Sequence, residues 1–130
     1  MNLYEPTTGP TLTKVAIVGS REFKRLDLVI AYVNALPPDT VVVSGGARGV
    51  DRTAEEAAEK RGLTTLIFPA EWDKYGLQAG FLRNRLLVKA CDYVCAFYNG
   101  TSRGTWDTIQ KAKKAGKRVV VVTDTEQSEK

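Results

Sequence analysis

Five short runs of apolar and mostly β-branched residues recur along the chain, and they constrain its fold more than any other feature. The runs cover residues 15–18, 41–43, 66–68, 94–97 and 119–122. Each run is continuously apolar rather than alternating in polarity, which is typical of strands covered on both faces of a parallel sheet. The sequence therefore predicts a parallel sheet of about five strands.

The segments between these runs carry apolar side chains at the three- and four-residue spacing of amphipathic helices. The clearest stripes are Val29-Tyr32-Val33-Leu36, Val50-Ala54-Ala57-Ala58, Ala79-Leu82-Leu86-Ala90 and the segment around Trp106 and Ile109. In the third of these stripes, Leu82 and Leu86 are predicted to face the core.

Regular alternation of strands and helices, with right-handed crossovers, predicts an α/β fold with a single Rossmann-like doubly wound parallel sheet. We expect the strand order 3-2-1-4-5, helices on both faces, and a switch point between the first and fourth strands. The domain is predicted over residues 14–122, between a flexible N-terminal arm at 1–13 and a flexible tail at 123–130.

Composition excludes several kinds of chemistry. The 130 residues include no histidine, which removes the commonest general base and any Ser–His or Cys–His nucleophile pair. Cys91 and Cys95 are expected to be buried reduced thiols, and no metal site is predicted. The net charge of +4 permits polyanion binding without requiring it. No apolar run reaches membrane-spanning length and the N-terminus does not resemble a signal peptide, so we expect a cytoplasmic protein with no membrane partner.

Polar loops rich in glycine, serine or threonine follow the first, second and fourth apolar runs, at residues 19–23, 44–51 and 98–105. The carboxyl ends of parallel strands lie at one edge of the sheet, where such loops can surround a phosphate with N–H groups and arginines. For the loop at 44–51, the alternative is a tight connection that binds nothing, with Asp51 capping the next helix. Arg83 and Asn84 could reach the same edge, or could simply lie on a solvated helix face.

The combination predicts a binding site for a phosphorylated small molecule. Its candidate ligand-binding residues are Gly19, Ser20, Arg21, Ser44, Gly45, Gly46, Ala47, Arg48, Gly49, Asp51, Arg83, Asn84, Asn99, Thr101, Ser102, Arg103, Gly104 and Thr105.

The ordered motifs at residues 19–21, 44–51, 83–85 and 100–105 resemble those of the SLOG superfamily, which groups DNA-processing protein A with the LOG proteins. Within it, the chain most resembles the small stand-alone YspA- and YpsA-related proteins of bacteria and phages. The resemblance spans residues 14–122 and implies a Rossmann-like domain that binds a nucleotide or a nucleotide-derived ligand such as NAD or ADP-ribose, as a sensor or regulator. It also implies a homo-oligomer, in the host cytoplasm if a phage encodes it.

Two alternative functions follow from the same resemblance. LOG enzymes cleave the N-glycosidic bond of nucleoside monophosphates, and Glu71, Asp73 and Asp107 are the candidate catalytic carboxylates here. The LOG motif Pro-Gly-Gly-x-Gly-Thr-x-x-Glu is incomplete, because Pro-Gly-Gly is absent and Thr108 stands at the glutamate position. DNA-processing protein A binds single-stranded DNA, although this chain has no run of aromatic residues interleaved with basic ones. Trp72, Tyr75 and Phe81 could stack on a single base.

Overall fold

A five-stranded, fully parallel sheet forms the centre of the protein in the computed structural model, which describes residues 12–124. The strands are β1 (Lys14–Gly19), β2 (Val41–Ser44), β3 (Thr64–Ile67), β4 (Tyr93–Phe97) and β5 (Arg118–Val122). Their spatial order is β3-β2-β1-β4-β5, and every neighbouring pair is parallel. The predicted topology is therefore confirmed. Nearly all of the predicted arm and tail lie outside the described residues.

Helices connect the strands and cover the sheet on both faces. They are α1 (Leu26–Asn34), α2 (Val50–Lys60), the short α3 (Trp72–Tyr75) with a 3-10 turn at Gly76–Gln78, α4 (Ala79–Ala90) and α5 (Arg103–Lys114). Alternate residues of each strand point to opposite faces, so two separate cores form. Val15 and Ile17 of β1 pack with α1 and α2, whereas Ala16 and Val18 pack with α4 and α5.

Helix α4 is rotated relative to its predicted orientation. Leu86, which was predicted to face the core, is 53% exposed, while Leu87 and Val88 are buried with the polar Asn84. The amide of Asn84 donates hydrogen bonds to the Gly104 carbonyl and the Asp107 carboxylate at the start of α5. The prediction for Leu86 is wrong because it counted apolar residues only, while a polar residue with partners on α5 belongs to the buried face.

The first and fourth strands lie side by side at the centre of the sheet, and the chain leaves them toward helices on opposite faces. This divergence opens a crevice at the carboxyl end of the sheet, which is where ligands bind in such folds. Ser20 closes the base of the crevice, since its N–H donates to the Phe97 carbonyl and its hydroxyl donates to Asn99 Oδ1. The loops after β1 and β4 are thus fixed to each other.

Both cysteines are free and buried, Cys91 at the end of α4 and Cys95 within β4. The prediction of two buried reduced thiols is confirmed. In the part of the chain that the structure describes, no helix has the length and apolar character needed to cross a membrane.

Candidate ligand-binding site

A cavity of about 500 Å³ lies in the crevice at the carboxyl end of the sheet. It is lined by the loops after β1, β2 and β4, by the segment around α3, and by the first turns of α4 and α5. The predicted residues in its wall are Gly19, Ser20, Arg21, Ala47, Arg48, Asp51, Arg83, Asn84, Asn99, Thr101, Ser102, Gly104 and Thr105. The predicted residues outside its wall are Ser44, Gly45, Gly46, Gly49 and Arg103.

The glycine-rich loop between β2 and α2 holds a carboxylate of its own. Asp51 Oδ2 accepts hydrogen bonds from the N–H groups of Gly45 and Ala47, both at 3.2 Å. The alternative for this loop predicted Asp51 as the N-cap of α2, and that prediction is wrong. Gly49 holds that position, and Asp51 lies in the first turn of the helix. The sequence analysis assigned the N–H groups of this loop to a phosphate. Two of them, those of Gly45 and Ala47, instead donate to a side chain of the protein itself.

Close packing explains two glycines of this loop. Gly49 has φ +80°, and a Cβ atom at this position would lie 2.8 Å from the carbonyl oxygen of Arg21. A Cβ atom on Gly45 would lie 2.9 Å from Asp51 Oδ2 and would also strike the guanidinium of Arg83. These glycines serve contacts between loops, so their presence alone does not indicate a ligand.

Arg83 of α4 stabilises the same loop from the other side. Its guanidinium donates a short hydrogen bond to the Gly45 carbonyl, and its Nε donates to Asn84 Oδ1 at 2.9 Å. Burial lowers the pKa of Arg83, while the negative charge of Asp51 raises it. Arg83 is thus committed to the loop and to the Asp51 charge, although it lines the cavity.

Asn99 organises the loop between β4 and α5. Its Oδ1 accepts hydrogen bonds from the Ser20 hydroxyl, from the N–H and hydroxyl of Thr101, and from the N–H of Ser102. Ser102 then caps α5, since its hydroxyl oxygen accepts from the N–H of Thr105. This loop is held by a neutral amide, and the first turn of α5 carries no acidic residue that would compensate the partial positive charge there.

Two cations of the cavity wall have no side-chain partner in the part of the chain that the structure describes. Within residues 12–124, neither Arg21 nor Arg48 forms a hydrogen bond or an ion pair with another side chain. Arg21 is exposed on the turn after β1, and Arg48 lies at the tip of the glycine-rich loop. Both guanidinium groups are available to an anion in the cavity.

Apolar side chains also line the cavity. Trp72, Leu77 and Phe81 line it and are 48%, 91% and 45% exposed. The Trp72 indole packs over Gly80, where a Cβ atom would lie 3.3 Å from the ring. Lys111 lies over the Phe81 ring at 5.6 Å from its centroid. The cavity wall therefore carries both basic and aromatic side chains.

The three candidate catalytic carboxylates do not line this cavity. Asp107 forms an ion pair with Lys111 at 2.5 Å and accepts from Asn84. Glu71 and Asp73 lie in a shallow surface depression around α3. The acidic residues in the cavity wall are Glu22 and Asp51. Among residues 12–124, no three acidic or cysteine side chains are grouped in a way that could hold a metal ion.

Sequence reasoning missed several residues of the cavity wall. They are Val18, Glu22, Leu77, Gly80, Leu87 and Thr108. Glu22 belongs to the same turn as Arg21, and Leu77 precedes Phe81 by one helical turn, so both could have been found from spacing. Thr108, at the position of the LOG glutamate, is buried, and its hydroxyl donates to the Gly104 carbonyl.

Known proteins support the fold and identify the family. A family model described as the YspA, cpYpsA-related SLOG family (YAcAr) matches residues 13–75. The Gene 61 protein of Mycobacterium phage D29 is 37% identical in an alignment of 119 residues, which covers 84% of this chain and 95% of that protein.

Two solved structures of DNA processing protein A are similar in fold. The Streptococcus pneumoniae protein matches with a TM-score of 0.76 and 24% identity, over 91% of this chain and 52% of that one. The Helicobacter pylori protein, described for its single-stranded DNA binding mode, matches with a TM-score of 0.72 and 23% identity, over 92% of this chain and 68% of that one. This chain thus spans about half the length of the Streptococcus pneumoniae protein. The family model, the phage relative and the shared fold agree, and the chain belongs to the YspA/cpYpsA-related SLOG family.

Proposed function

We propose that this protein binds a nucleotide or a nucleotide-derived ligand in the cavity at the carboxyl end of its sheet. The observation that carries the proposal is that two kinds of side chain share one cavity wall. Arg21 and Arg48, which have no side-chain partner among residues 12–124, line it together with the exposed rings of Trp72 and Phe81. A nucleotide has the same two components, because its phosphate is anionic and its base presents a flat apolar face.

We assign the phosphate of this ligand to the part of the cavity wall formed by Arg21, Arg48 and the start of α5. Guanidinium groups bind phosphate oxygens through paired donors. Within the described residues, the N–H groups of Arg103 and Gly104 at the start of α5 have no acceptor. A helix N-terminus with open N–H groups favours an anion, and Ser102, Gly104 and Thr105 at this helix start line the cavity.

We assign the base of this ligand to the part of the cavity wall formed by Trp72, Leu77 and Phe81. Stacking of a base on an aromatic side chain contributes about 1–3 kcal/mol. The cavity volume of about 500 Å³ falls in the range of small-molecule sites. The cavity is therefore large enough for one nucleotide-sized molecule.

Calorimetric titration and thermal shift with AMP, NAD and ADP-ribose test the proposal. At least one compound should raise Tm, because ligands that bind only the folded state stabilise it. Arg21→Ala and Arg48→Ala should each weaken binding by about tenfold or more, as expected for loss of a charge-assisted contact. Arg85→Ala is the matched control, because Arg85 lies on α4 but is exposed and outside the cavity wall. The absence of any shift across the panel would contradict the proposal.

Single-stranded DNA is a second candidate ligand for the same surface. The exposed Trp72, Tyr75 and Phe81 offer stacking platforms, the net charge is +4, and the Helicobacter pylori neighbour is described as binding single-stranded DNA. Binding to an oligonucleotide should then weaken steeply as salt rises, since phosphate contacts release counterions. An affinity for single-stranded DNA that does not change with salt would argue against this candidate.

A further inference from the structure

Asp51 is a buried carboxylate in the cavity wall, and among residues 12–124 only one of its oxygens accepts a hydrogen bond. The residue is 4% exposed, and its Oδ2 accepts from the N–H groups of Gly45 and Ala47. Its Oδ1 accepts no hydrogen bond from any residue between 12 and 124. Within the same range, no side-chain oxygen or nitrogen that is sealed from solvent lacks a partner. Since Asp51 lines the cavity, Oδ1 must open into it.

Few charges are close enough to compensate this carboxylate. Arg83 of α4 approaches it, Glu55 lies one turn further along α2, and Arg21 lies beyond Arg83. Burial raises the pKa of Asp51 to about 6, against the opposing effects of the Ala47 and Gly45 N–H groups and of Arg83. An ionised oxygen in such a setting gains more from a hydrogen-bond donor than an exposed one does.

Building on the proposed function, we infer that Asp51 Oδ1 accepts a hydrogen bond from a ribose hydroxyl of the bound nucleotide. Oδ2 meanwhile holds the glycine-rich loop. Arg48, which is assigned to the phosphate, belongs to that loop and precedes Asp51 by three residues. The ribose is bonded directly to the phosphate, so its hydroxyls are the donors of the ligand that come nearest to the phosphate. The base lies further from the phosphate along the ligand.

This role makes ligand binding proton-linked. Only the ionised carboxylate accepts at Oδ1 without first losing a proton, so bound ligand favours ionised Asp51. Affinity should fall as pH drops through the pKa of Asp51, and binding near that pH should release protons. For a pKa of about 6, the expected loss between pH 7.5 and pH 5 is about tenfold in Kd.

ADP-ribose is a suitable probe, because its diphosphate lacks the terminal phosphate group that titrates near pH 6. Calorimetry at pH 6, in two buffers of different ionisation enthalpy, should report release of about half a proton per ligand bound. Asp51→Asn is the test variant. Its carbonyl oxygen can still accept from the loop N–H groups, but a non-titrating NH₂ group then faces the cavity. Glu56→Gln, an exposed change of equal charge on the same helix, is the control.

The inference expects Asp51→Asn to bind ADP-ribose at least about tenfold more weakly at pH 7.5, with equal affinity at pH 5 and pH 7.5. Glu56→Gln should behave as wild type. An Asp51→Asn protein that binds as tightly as wild type, or that keeps the pH dependence, overturns the inference while leaving the proposed function standing. If that variant does not fold, proton release by the wild-type protein decides alone, and none at pH 6 overturns the inference. No binding by the wild-type protein across the AMP, NAD and ADP-ribose panel overturns the proposed function and this inference together.

Discussion

The loops after β2 and β4 border the same cavity and both open a helix, yet they are held in different ways. In the first loop, a charged carboxylate on α2, Asp51, accepts from two backbone N–H groups. In the second, the neutral amide oxygen of Asn99 accepts from two N–H groups and two hydroxyls. We call each of these hydrogen-bonding side chains the brace of its loop. The Asp51 brace lies inside a tightly packed loop, and the Asn99 brace lies at the open start of a helix.

The difference separates two tasks that glycine-rich turns often combine. The β2 loop supplies its own anion, so the N–H groups of Gly45 and Ala47 are satisfied before any ligand arrives. Its glycines admit Arg21, Arg83 and Asp51 at close range. The β4 loop introduces no negative charge, so the positive end of α5 remains available. An anionic ligand should thus depend on the β4 loop and on Arg21 and Arg48, while the β2 loop provides the rigid wall.

Glycine substitutions should show the largest contrast between the two loops. Gly49→Ala places a Cβ atom 2.8 Å from the Arg21 carbonyl at φ +80°, so we expect a loss of about 4 kcal/mol in the free energy of unfolding. Gly104→Ala meets no atom within 4 Å at a helical position, and should be neutral or stabilising by up to about 1 kcal/mol.

Urea denaturation of both variants measures this contrast. Circular dichroism spectra of the two folded proteins control for a change in the native state. Equal destabilisation by the two substitutions would mean that the loops are packed alike, against the structure.

The pH dependence of stability should show a smaller contrast. The folded pKa of Asp51, about 6, lies above the ordinary aspartate value of 3.8, so the folded state binds more protons than the unfolded state between these values. The contribution of Asp51 to stability therefore grows as pH falls from 7 toward 4. The two-unit difference corresponds to about 3 kcal/mol in full and to about half of that at pH 5.

Other carboxylates also titrate in this range, so the comparison must be made with Asp51→Asn. The free energy of unfolding of wild type minus that of Asp51→Asn, from denaturant titrations, should rise between pH 7.5 and pH 5. A flat difference would show that burial does not perturb this carboxylate. A rise would mean that the ionised Asp51 costs stability at neutral pH, as groups kept for binding often do.

The sequence was sufficient for the topology and for the edge of the sheet at which the site lies. Continuous apolar runs identify strands covered on both faces, and right-handed crossovers then leave few arrangements. It was insufficient for Leu86 and Asn84, because a helical stripe read from apolar residues cannot show which polar side chains will find buried partners. The orientation of α4 depends on hydrogen bonds to α5, which is a tertiary contact with no signal in local spacing.

The loops that form the site could be predicted from the sequence. Which of their side chains bind the protein itself and which remain available to a ligand could not. Arg48 and Arg83 look alike in the sequence, yet Arg83 is bound to the Gly45 carbonyl and Arg48 has no internal partner in the described part of the chain. Asp51 was predicted from the sequence as a candidate ligand-binding residue, with a helix cap as the alternative. Only the folded loop shows that its carboxylate turns back toward the N–H groups of Gly45 and Ala47.

Asn99→Asp has the smallest expected effect in free energy. It also tests the difference between the two braces directly, because it converts the neutral brace of the β4 loop into a charged one. An aspartate oxygen can still accept from Thr101, Ser102 and Ser20, so stability should change little. The added charge near the start of α5 should weaken ADP-ribose binding by about tenfold, or about 1.4 kcal/mol, and high salt should reduce that loss. Asn34→Asp, at the exposed end of α1 and outside the cavity wall, controls for net charge. If Asn99→Asp binds ADP-ribose as tightly as wild type, the phosphate does not bind near α5. The charge of the brace then does not explain why one loop is available to an anion and the other is not.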